Sequence, residues 1–292
     1  MSWVNTIVQG ILLGGLYALL ACGLSLMFGV MRIINLAHGD LAVVGAYLVL
    51  VMLDHSSVSP FVAFLVVLPA MLVFGYVLQR AMLDRSLRGG ILTPLLATFG
   101  LSIAIQNLLQ RQFSPDVQSF GGDAGSITTA SWQVTSELSI SGLGVLILVV
   151  AVLVIGGLHV FLGSTRRGAI MRATAQDADA AQLVGIDSRA VYARATAIAV
   201  AVAALAGLFL GIRSTFEPTS GPTQLIFAFE AVVIGGLGSL WGTLLGGIVL
   251  GVAQTVGARI DPQYSILAGH AVFLAVLATR RGGLLAARGA TA

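Results

Sequence analysis

Long apolar runs separated by short polar stretches make up almost the whole chain. A run of about 20 apolar residues forms a helix long enough to cross the roughly 30 Å hydrocarbon core of a bilayer. A window of about 19 residues finds such segments at 6–29, 34–53, 61–79, 91–109, 143–162, 195–212, 223–237, 240–257 and 264–279. Because 34–53 and 223–257 are ambiguous, the pattern predicts an all-α polytopic transmembrane helical bundle of eight or nine spans. We expect residues 1–292 to form one domain.

Glycine and polar residues interrupt two of these segments. Gly39 stands in the Asn-Leu-Ala-His-Gly-Asp stretch between the first two apolar runs, and Gly235 and Gly236 are adjacent near the seventh. Glycine tolerates backbone conformations that end a helix, and interrupted spans often line substrate sites. We therefore expect broken or re-entrant segments near 33–40 and 230–242.

Composition indicates the same class of protein and excludes several functions. Hydrophobic residues make up 57% and charged residues 9% of the chain, and the mean hydropathy is +0.98, whereas soluble domains carry about 25% charged residues. Every basic residue is arginine, so a phosphate-binding G-x-x-x-x-G-K-[ST] loop cannot occur. Cys22 is the single cysteine, and the four histidines are scattered. We therefore expect no catalytic site, no metal site and no cofactor bound by this chain.

The distribution of arginines predicts the orientation, since basic residues collect in the cytosolic loops of membrane proteins. Eleven of the fifteen arginines lie in loops and a tail that fall on the same side of the membrane when the spans are counted, and we take this side as cytosolic. They are Arg80, Arg85, Arg88, Arg166, Arg167, Arg172, Arg189, Arg194, Arg280, Arg281 and Arg288. The opposite loops carry acidic residues, namely Asp54, Asp116, Asp123, Glu137, Glu217 and Asp261. We expect the C-terminus to be cytosolic. Nine crossings would then put the N-terminus outside, whereas eight would put it inside or require one short segment to be re-entrant.

Two loops stand out by length. Residues 163–194 form an arginine-bearing stretch on the predicted cytosolic side, long enough to form a docking surface for a partner. Residues 110–141 form a loop on the predicted external side that is rich in Ser, Thr, Gly and Gln and contains Trp132. The external loop is either a solvated connection anchored by Trp132 at the headgroups or a landing surface for an extracytoplasmic partner.

Glycines are concentrated where spans should pack. Gly238, Gly242 and Gly246 recur every four residues, as do Gly247 and Gly251. Small residues at this spacing form a stripe on which another helix backbone can approach closely. The spacing predicts a tight helix pair, which is common in membrane proteins and does not by itself identify a transporter.

Polar side chains inside apolar runs are candidates for a translocation path, because burying them in a membrane is costly. Glu230 lies in an apolar run with no arginine near it, and Asn35, His38 and Asp40 lie in the stretch that contains Gly39. We take Asn35, His38 and Glu230 as path candidates. The alternative for the first group is a plain helix start, with Asp40 capping the helix that follows.

Three blocks of sequence resemble the branched-chain amino acid ABC transporter permeases, specifically their H-type membrane subunit. The first block comprises residues 14–29 (GGLYALLACGLSLMFG), 32–40 (RIINLAHGD) and 45–47 (GAY). The second comprises 172–177 (RATAQD) and 183–187 (LVGID), and the third comprises 228–247 (AFEAVVIGGLGSLWGTLLGG). The blocks occur in the family's order and cover nearly the whole chain. They are much less specific for the solute.

The resemblance implies a permease subunit of an ATP-driven importer in a bacterial plasma (inner) membrane. Its partners would be a second related permease, two cytosolic ATPases that use the ATP, an external solute-binding protein and membrane lipid. The carried solute would be a branched-chain or related amino acid, with urea, short amides or aromatic carboxylates as alternatives. No nucleic-acid partner is implied.

Residues 163–194 would then be the cytosolic coupling loop that docks on an ATPase. We expect a helix-compatible stretch, 173–183, to sit in a groove of the ATPase, with Gly185 after it as a candidate helix cap. The coupling candidates are Arg166, Arg167, Gly168, Arg172, Ala173, Asp177, Gly185 and Ile186. A solvated loop that merely carries the positive charge of the cytosolic face is the alternative.

Two other classes of function remain open on the residues alone. A secondary transporter driven by ions or protons would use Glu230, His38 or Asp40 as a relay. A secondary transporter would explain a buried acid but would give the arginine-bearing stretch, 163–194, no role. A structural membrane scaffold would carry no solute in any assembly.

Overall fold

The polypeptide folds into a bundle of helices with one small strand hairpin. The computed structural model describes residues 2–56, 58–90, 92–135, 138–280 and 282–285. The α-helices are α1 (Trp3–Met31), α2 (His38–His55), α3 (Pro60–Leu78), α4 (Asp84–Ser86), α5 (Leu92–Phe113), α6 (Gly142–Ser164), α7 (Arg166–Gln176), α8 (Ala178–Leu183), α9 (Ser188–Arg213), α10 (Gly221–Gly235), α11 (Leu240–Ile260) and α12 (Tyr264–Thr279). A π-helical turn (Gln79–Leu83) joins α3 to α4, and 3₁₀ turns lie at Leu87–Gly89 and Gly122–Ile127. Strands β1 (Ser131–Thr135) and β2 (Leu138–Ser141) pair antiparallel.

Each of the nine predicted apolar segments contains one of these helices, although the helices are not equally long. Within the described residues, seven helices are long and apolar enough to cross a membrane: α1, α2, α3 with its extension to Ser86, α5, α6, α9 and α11. The other two apolar helices, α10 and α12, have 15 and 16 residues. At 1.5 Å per residue these two are about 22–24 Å long, which is short of a 30 Å core.

The helices α1 and α9 form the centre of the bundle. In the apolar 18-residue stretch of each helix, 83% of the residues of α1 and 89% of those of α9 are buried inside the chain, against 17% in α6 and 28% in α5. The buried face of α9 is rich in small residues, such as Ala199, Ala203 and Ala204, which allow neighbouring backbones to approach closely. The outer faces of α5 and α6 present exposed leucines and valines, as expected of helices in contact with lipid or a partner subunit.

The two ends of the bundle are chemically different. At one end, here called the loop end, Arg259 donates to the Thr6 hydroxyl (3.0 Å) and lies over the Trp3 ring, while Gln9 donates to the Ser139 carbonyl (2.7 Å). The start of α1 therefore lies beside the predicted external loop, as the nine-crossing arrangement requires. The other end, here called the arginine-rich end, holds the last turn of α1, α7, α8 and the turn before α11. Glu137, Arg281 and Arg288 of the charge pattern lie outside the described residues.

Part of the 110–141 loop is held by the bundle. Gln118 and Phe216 exchange backbone hydrogen bonds (2.8 and 2.9 Å), and Phe120 is buried against Phe216 with ring centroids 5.7 Å apart. Trp132 stands opposite Ile140 in the hairpin and is 59% exposed. The loop therefore combines an anchored first half with a hairpin in which residues 131–133 of β1 are exposed and β2 lies against α1.

The re-entrant segment expected near 33–40 is present. Helix α1 ends at Met31, yet His38, the first residue of α2, donates from Nε2 to the carbonyl of Leu20 in α1 (2.9 Å). Leu20 lies about 16 Å back along α1 at 1.5 Å per residue. Residues 32–37 therefore double back into the bundle, and α2 begins within it rather than at its surface.

The break expected near 230–242 takes a different form. Helix α10 ends at Gly235, and Gly236 and Gly238 have φ angles of 109° and 79°, which disfavour any residue with a Cβ. The Ser239 hydroxyl then accepts from the Gly242 N–H (3.1 Å) and caps α11. The break is thus the turn between two helices and not a discontinuity within one span.

Four of the five predicted packing glycines serve two different helix pairs. A Cβ on Gly242 or Gly246 would lie 2.3 or 1.9 Å from a carbonyl oxygen of α10, and a Cβ on Gly247 or Gly251 would lie 2.7 or 2.4 Å from a carbonyl oxygen of α1. Such distances exclude any side chain larger than hydrogen unless a backbone moves. Gly238 belongs to the turn before α11 because of its positive φ angle, so it is not part of the helical stripe.

Candidate coupling segment and buried polar groups

The arginine-bearing stretch contains two short helices rather than the single helix expected over 173–183. Its ends belong to α6 and α9, and α7 and α8 lie between them. The helix breaks at Asp177, whose carboxylate accepts from the N–H groups of Asp179 (3.0 Å) and Ala180 (2.9 Å). Aspartate competes for backbone N–H groups in this way, which ends α7 and starts α8.

Gly185 ends α8 as the sequence suggested. It has a φ angle of 86°, its N–H donates to the Gln182 carbonyl (3.0 Å), and the Ile186 N–H donates to the Ala181 carbonyl (3.0 Å). This pair of hydrogen bonds is the Schellman arrangement that closes many helices with glycine. Asp187 then caps α9 by accepting from the Arg189 N–H (3.0 Å). The two helices and their turn are therefore a well-defined unit.

The unit is attached firmly to the membrane helices. Met171 of α7 is 3% exposed and packs in a cluster with Met27 and Met31 of α1, Leu83 and Val191. Helix α7 also lies very close to α6. A Cβ on Gly168, another of the coupling candidates, would lie 2.2 Å from a carbonyl oxygen of α6. Packed side chains therefore join α7 to the end of α1.

The end of α8 carries an exposed apolar pair. Leu183 is 89% exposed and Val184 is 77% exposed, although both lie in a segment whose neighbours are polar or small. Isolated exposed apolar residues are common, but a largely exposed apolar pair at the end of a well-defined, charged segment is typical of a protein contact. Leu183 is the last residue of the stretch 173–183 expected to dock, but the coupling candidates named from the sequence were the flanking Gly185 and Ile186 and not this pair. An apolar dipeptide between polar residues was the signal that would have found it.

The remaining coupling candidates have distinct surroundings. Arg166 and Arg167 are exposed in the first turn of α7, and Ala173 is exposed on its outer face. Arg172 is exposed at the rim of a cleft between α7, α1 and the start of α11. These side chains are free to meet a partner, whereas Gly168, Asp177 and Gly185 shape the backbone that presents them.

The polar residues of the re-entrant segment are fully buried. His38 and Asn35 are both 0% exposed. The Asn35 side-chain oxygen accepts from the Ala37 N–H (3.0 Å), and the Leu36 N–H donates to the Thr98 hydroxyl (3.1 Å). Buried backbone groups need such partners in a membrane. In this conformation His38 holds the segment against α1, and the Leu36 N–H holds it against α5.

Asp40 does not cap α2. The cap position is Ala37, and Asp40 lies in the first turn with its carboxylate accepting from the Gln106 amide (3.0 Å). Gly221, the first residue of α10, stands so close that a Cβ there would lie 2.0 Å from the Asp40 carboxylate. The carboxylate is therefore held where α2 and α10 both begin, and helix N-termini favour negative charge.

Glu230 has a partner that the sequence did not reveal. It is 3% exposed, and its carboxylate is hydrogen-bonded to His270 of α12, whose side chain is 39% exposed. The second carboxylate oxygen has no partner among the described residues. No hydrogen bond in the described part of the chain joins this pair to His38 or Asn35, so the three path candidates belong to two separate polar groups.

Comparison with known proteins identifies the family. The model of the family described as branched-chain amino acid transport system / permease component matches residues 6–277. The chain belongs to this family. The permease is 33% identical to the high-affinity branched-chain amino acid transport system permease protein BraD of Pseudomonas aeruginosa, over 97% of this chain and 95% of that protein. It is 28% identical to the corresponding protein LivH of Escherichia coli K12, over 98% and 96%.

A more distant likeness covers part of the permease. The fructose import permease protein FrcC of Rhizobium meliloti is 32% identical over 44% of this chain and 38% of that protein. No solved structure gives a significant match to this chain. Family membership and the seven long apolar helices make the permease a multi-pass membrane protein that transports rather than catalyses.

Proposed function

We propose that the permease is the membrane subunit of an ATP-driven importer that carries branched-chain or related amino acids. The observation that supports it best is the full-length similarity to permeases named for that transport, over 97% and 98% of the chain. In this proposal an external solute-binding protein delivers the solute, and a second related permease completes the path.

Energy would come from two cytosolic ATPases, since this chain has no lysine and hence no phosphate-binding loop of the lysine type. The arginine-rich end would face the cytosol, in keeping with the positive-inside bias. The α8 tip, defined as Leu183 and Val184, would enter an apolar groove of an ATPase. Movement of the ATPases would then reach α1 through Met171 and its cluster.

Asn35, His38 and Glu230 remain proposals for the path. All three are buried in the present conformation, so they would meet solute only after the helices move, as alternating access requires. Strand β1, whose residues 131–133 are exposed, is the part of the external loop best presented to a binding protein.

The solute can be tested by competition in the assembled importer. Uptake of radiolabelled leucine into cells that express this permease with its partners should be inhibited by excess isoleucine or valine. Excess urea, acetamide or benzoate should leave it unchanged. A matched strain lacking only the permease supplies the background. Uptake of labelled urea, amide or benzoate in place of leucine would assign the solute to one of the alternatives.

A further inference from the structure

Two short helices, α10 and α12, lie side by side and share an exposed surface. On α12 the exposed apolar side chains recur at about one helical turn on either side of His270, so they lie on one side of the helix. On α10 the side chain one turn before Glu230 is also exposed. We call this surface the short-helix face, and its residues are Ile226, Ile266, Leu267, His270, Leu274 and Leu277.

An ionisable side chain stands in the middle of this face. His270 is near the centre of α12, and its side chain is 39% exposed. Its Nδ1 is hydrogen-bonded to Glu230, whereas its Nε2 makes no hydrogen bond with the described residues. Ionisable side chains within membrane spans nearly always face protein or a water-filled cavity. The surface around His270 is therefore poorly suited to the hydrocarbon of lipids.

Packing against α11 fixes which side of α12 faces outward. Gly269, next to His270, is buried, and a Cβ there would lie 3.1 Å from both the Cγ and the Nε2 of Gln254 in α11. Rotating α12 about its axis would bring a larger side chain into this narrow contact. The outward position of His270 is thus set by the close approach of two helices and by its hydrogen bond to Glu230.

The length of the helices is a second, independent reason to expect protein at this face. Helices α10 and α12 have 15 and 16 residues, about 22–24 Å, whereas α6 has 23 residues, about 34 Å. A helix shorter than the hydrocarbon core is accommodated by thinning of the bilayer or by association with another protein. Helix α6, whose residues 148–158 are all apolar, matches lipid in both respects. The short-helix face matches it in neither.

We propose that the second permease of the importer covers the short-helix face and places a hydrogen-bonding side chain opposite His270. The ATPases and the binding protein lie outside the membrane, so neither reaches the middle of α12, and only a membrane chain does. The inference rests on the proposed function for the existence of a second permease. Glu230 would then lie directly behind the contact between the two permeases, which brings one path candidate next to the other subunit.

The test is photocrosslinking in the complete complex, purified from cells that express every subunit and reconstituted in nanodiscs. The photoreactive residue p-benzoylphenylalanine replaces Leu267 or Leu274, which are 61% and 59% exposed. It replaces Leu153 of α6, which is 67% exposed, in a matched control. After irradiation, mass spectrometry identifies each adduct. We expect adducts with the second permease from positions 267 and 274, and adducts with lipid from position 153.

A steric variant gives a second measurement that needs no crosslinker. Ala271 is exposed between Leu267 and Leu274, so Ala271→Trp adds bulk to the short-helix face without displacing a buried side chain of this chain. It should reduce the amount of second permease that co-purifies about tenfold, because overpacking opposes a close contact. The aggregation midpoint of the permease purified alone should not change. Val152→Trp, at an exposed position of α6, should retain the second permease.

The possible contradictions separate this inference from the proposed function. Adducts with lipid alone from positions 267 and 274, while the second permease co-purifies, would overturn the inference and leave the proposed function standing. Adducts with another copy of the same permease would assign the face to a homodimer and would also overturn it. Purification without any second permease would overturn the proposed function, and this inference with it.

Discussion

Leu183→Glu is expected to abolish ATP-driven uptake while leaving the permease folded. Leu183 is 89% exposed, so its replacement removes almost no contact within this chain. In the complex, however, the change would remove a buried leucine worth about 1.5–3 kcal/mol and put a charge into an apolar groove. A loss of about 3 kcal/mol weakens binding roughly 150-fold. The measurement is retention of the ATPases when the tagged permease is purified, together with leucine uptake.

Gln182→Glu provides the matched control for this variant. Gln182 is also exposed and adjoins Leu183 on α8. Its replacement by glutamate therefore introduces the same charge without removing the apolar contact of Leu183. ATPase retention and uptake should remain within about threefold of the unaltered protein, because exposed charges contribute little. If Leu183→Glu and Gln182→Glu retain the ATPases equally well, the α8 tip is not the docking site.

Gly246→Leu is expected to prevent correct packing of the bundle itself. A Cβ on Gly246 would lie 1.9 Å from the Ala231 carbonyl oxygen and 2.8 Å from the Gly235 nitrogen. Both are backbone atoms, so α10 would have to move away from α11. Overpacking of this kind costs about 3 kcal/mol or more. The variant should be recovered in low yield, and its thermal aggregation midpoint in detergent should fall by roughly 10 °C.

Gly157→Leu is the corresponding control in a membrane helix. Gly157 is exposed on α6 with no atom within 4 Å of the position of a Cβ, so the same substitution adds a side chain to open space. It should leave yield and aggregation midpoint nearly unchanged, or raise the midpoint slightly, since leucine is the better helix former. Equal behaviour of the two variants would show that α10 and α11 do not pack as closely as described.

Local sequence patterns predicted the helices and their ends well. The nine apolar segments, the re-entrant stretch before His38 and the helix end at Gly185 all follow from hydropathy or from the chemistry of single residues. The break at Asp177 was missed because helix-compatible residues surround it, and only the observed hydrogen bonds of its carboxylate show that it starts a new helix.

Contacts between distant segments could not be predicted from one sequence. The partner of Glu230 is forty residues away in α12, and Gly242 and Gly247 face different helices although they lie in one glycine-rich run. Glycines spaced four residues apart indicate that a helix packs closely against another helix, but they do not indicate which helix that is. The exposure of Leu183 likewise depends on how α8 is oriented by α7 and α9.

The most direct test of the account compares uptake by the complete importer with uptake by this permease alone. Proteoliposomes should contain either the tagged permease by itself or the permease with its second permease and ATPases, with ATP inside and the binding protein outside. We expect labelled leucine to accumulate only in the complete system, and only when the enclosed ATP is hydrolysable. Accumulation driven by an ion or proton gradient in proteoliposomes with the permease alone would contradict the account and indicate a secondary transporter.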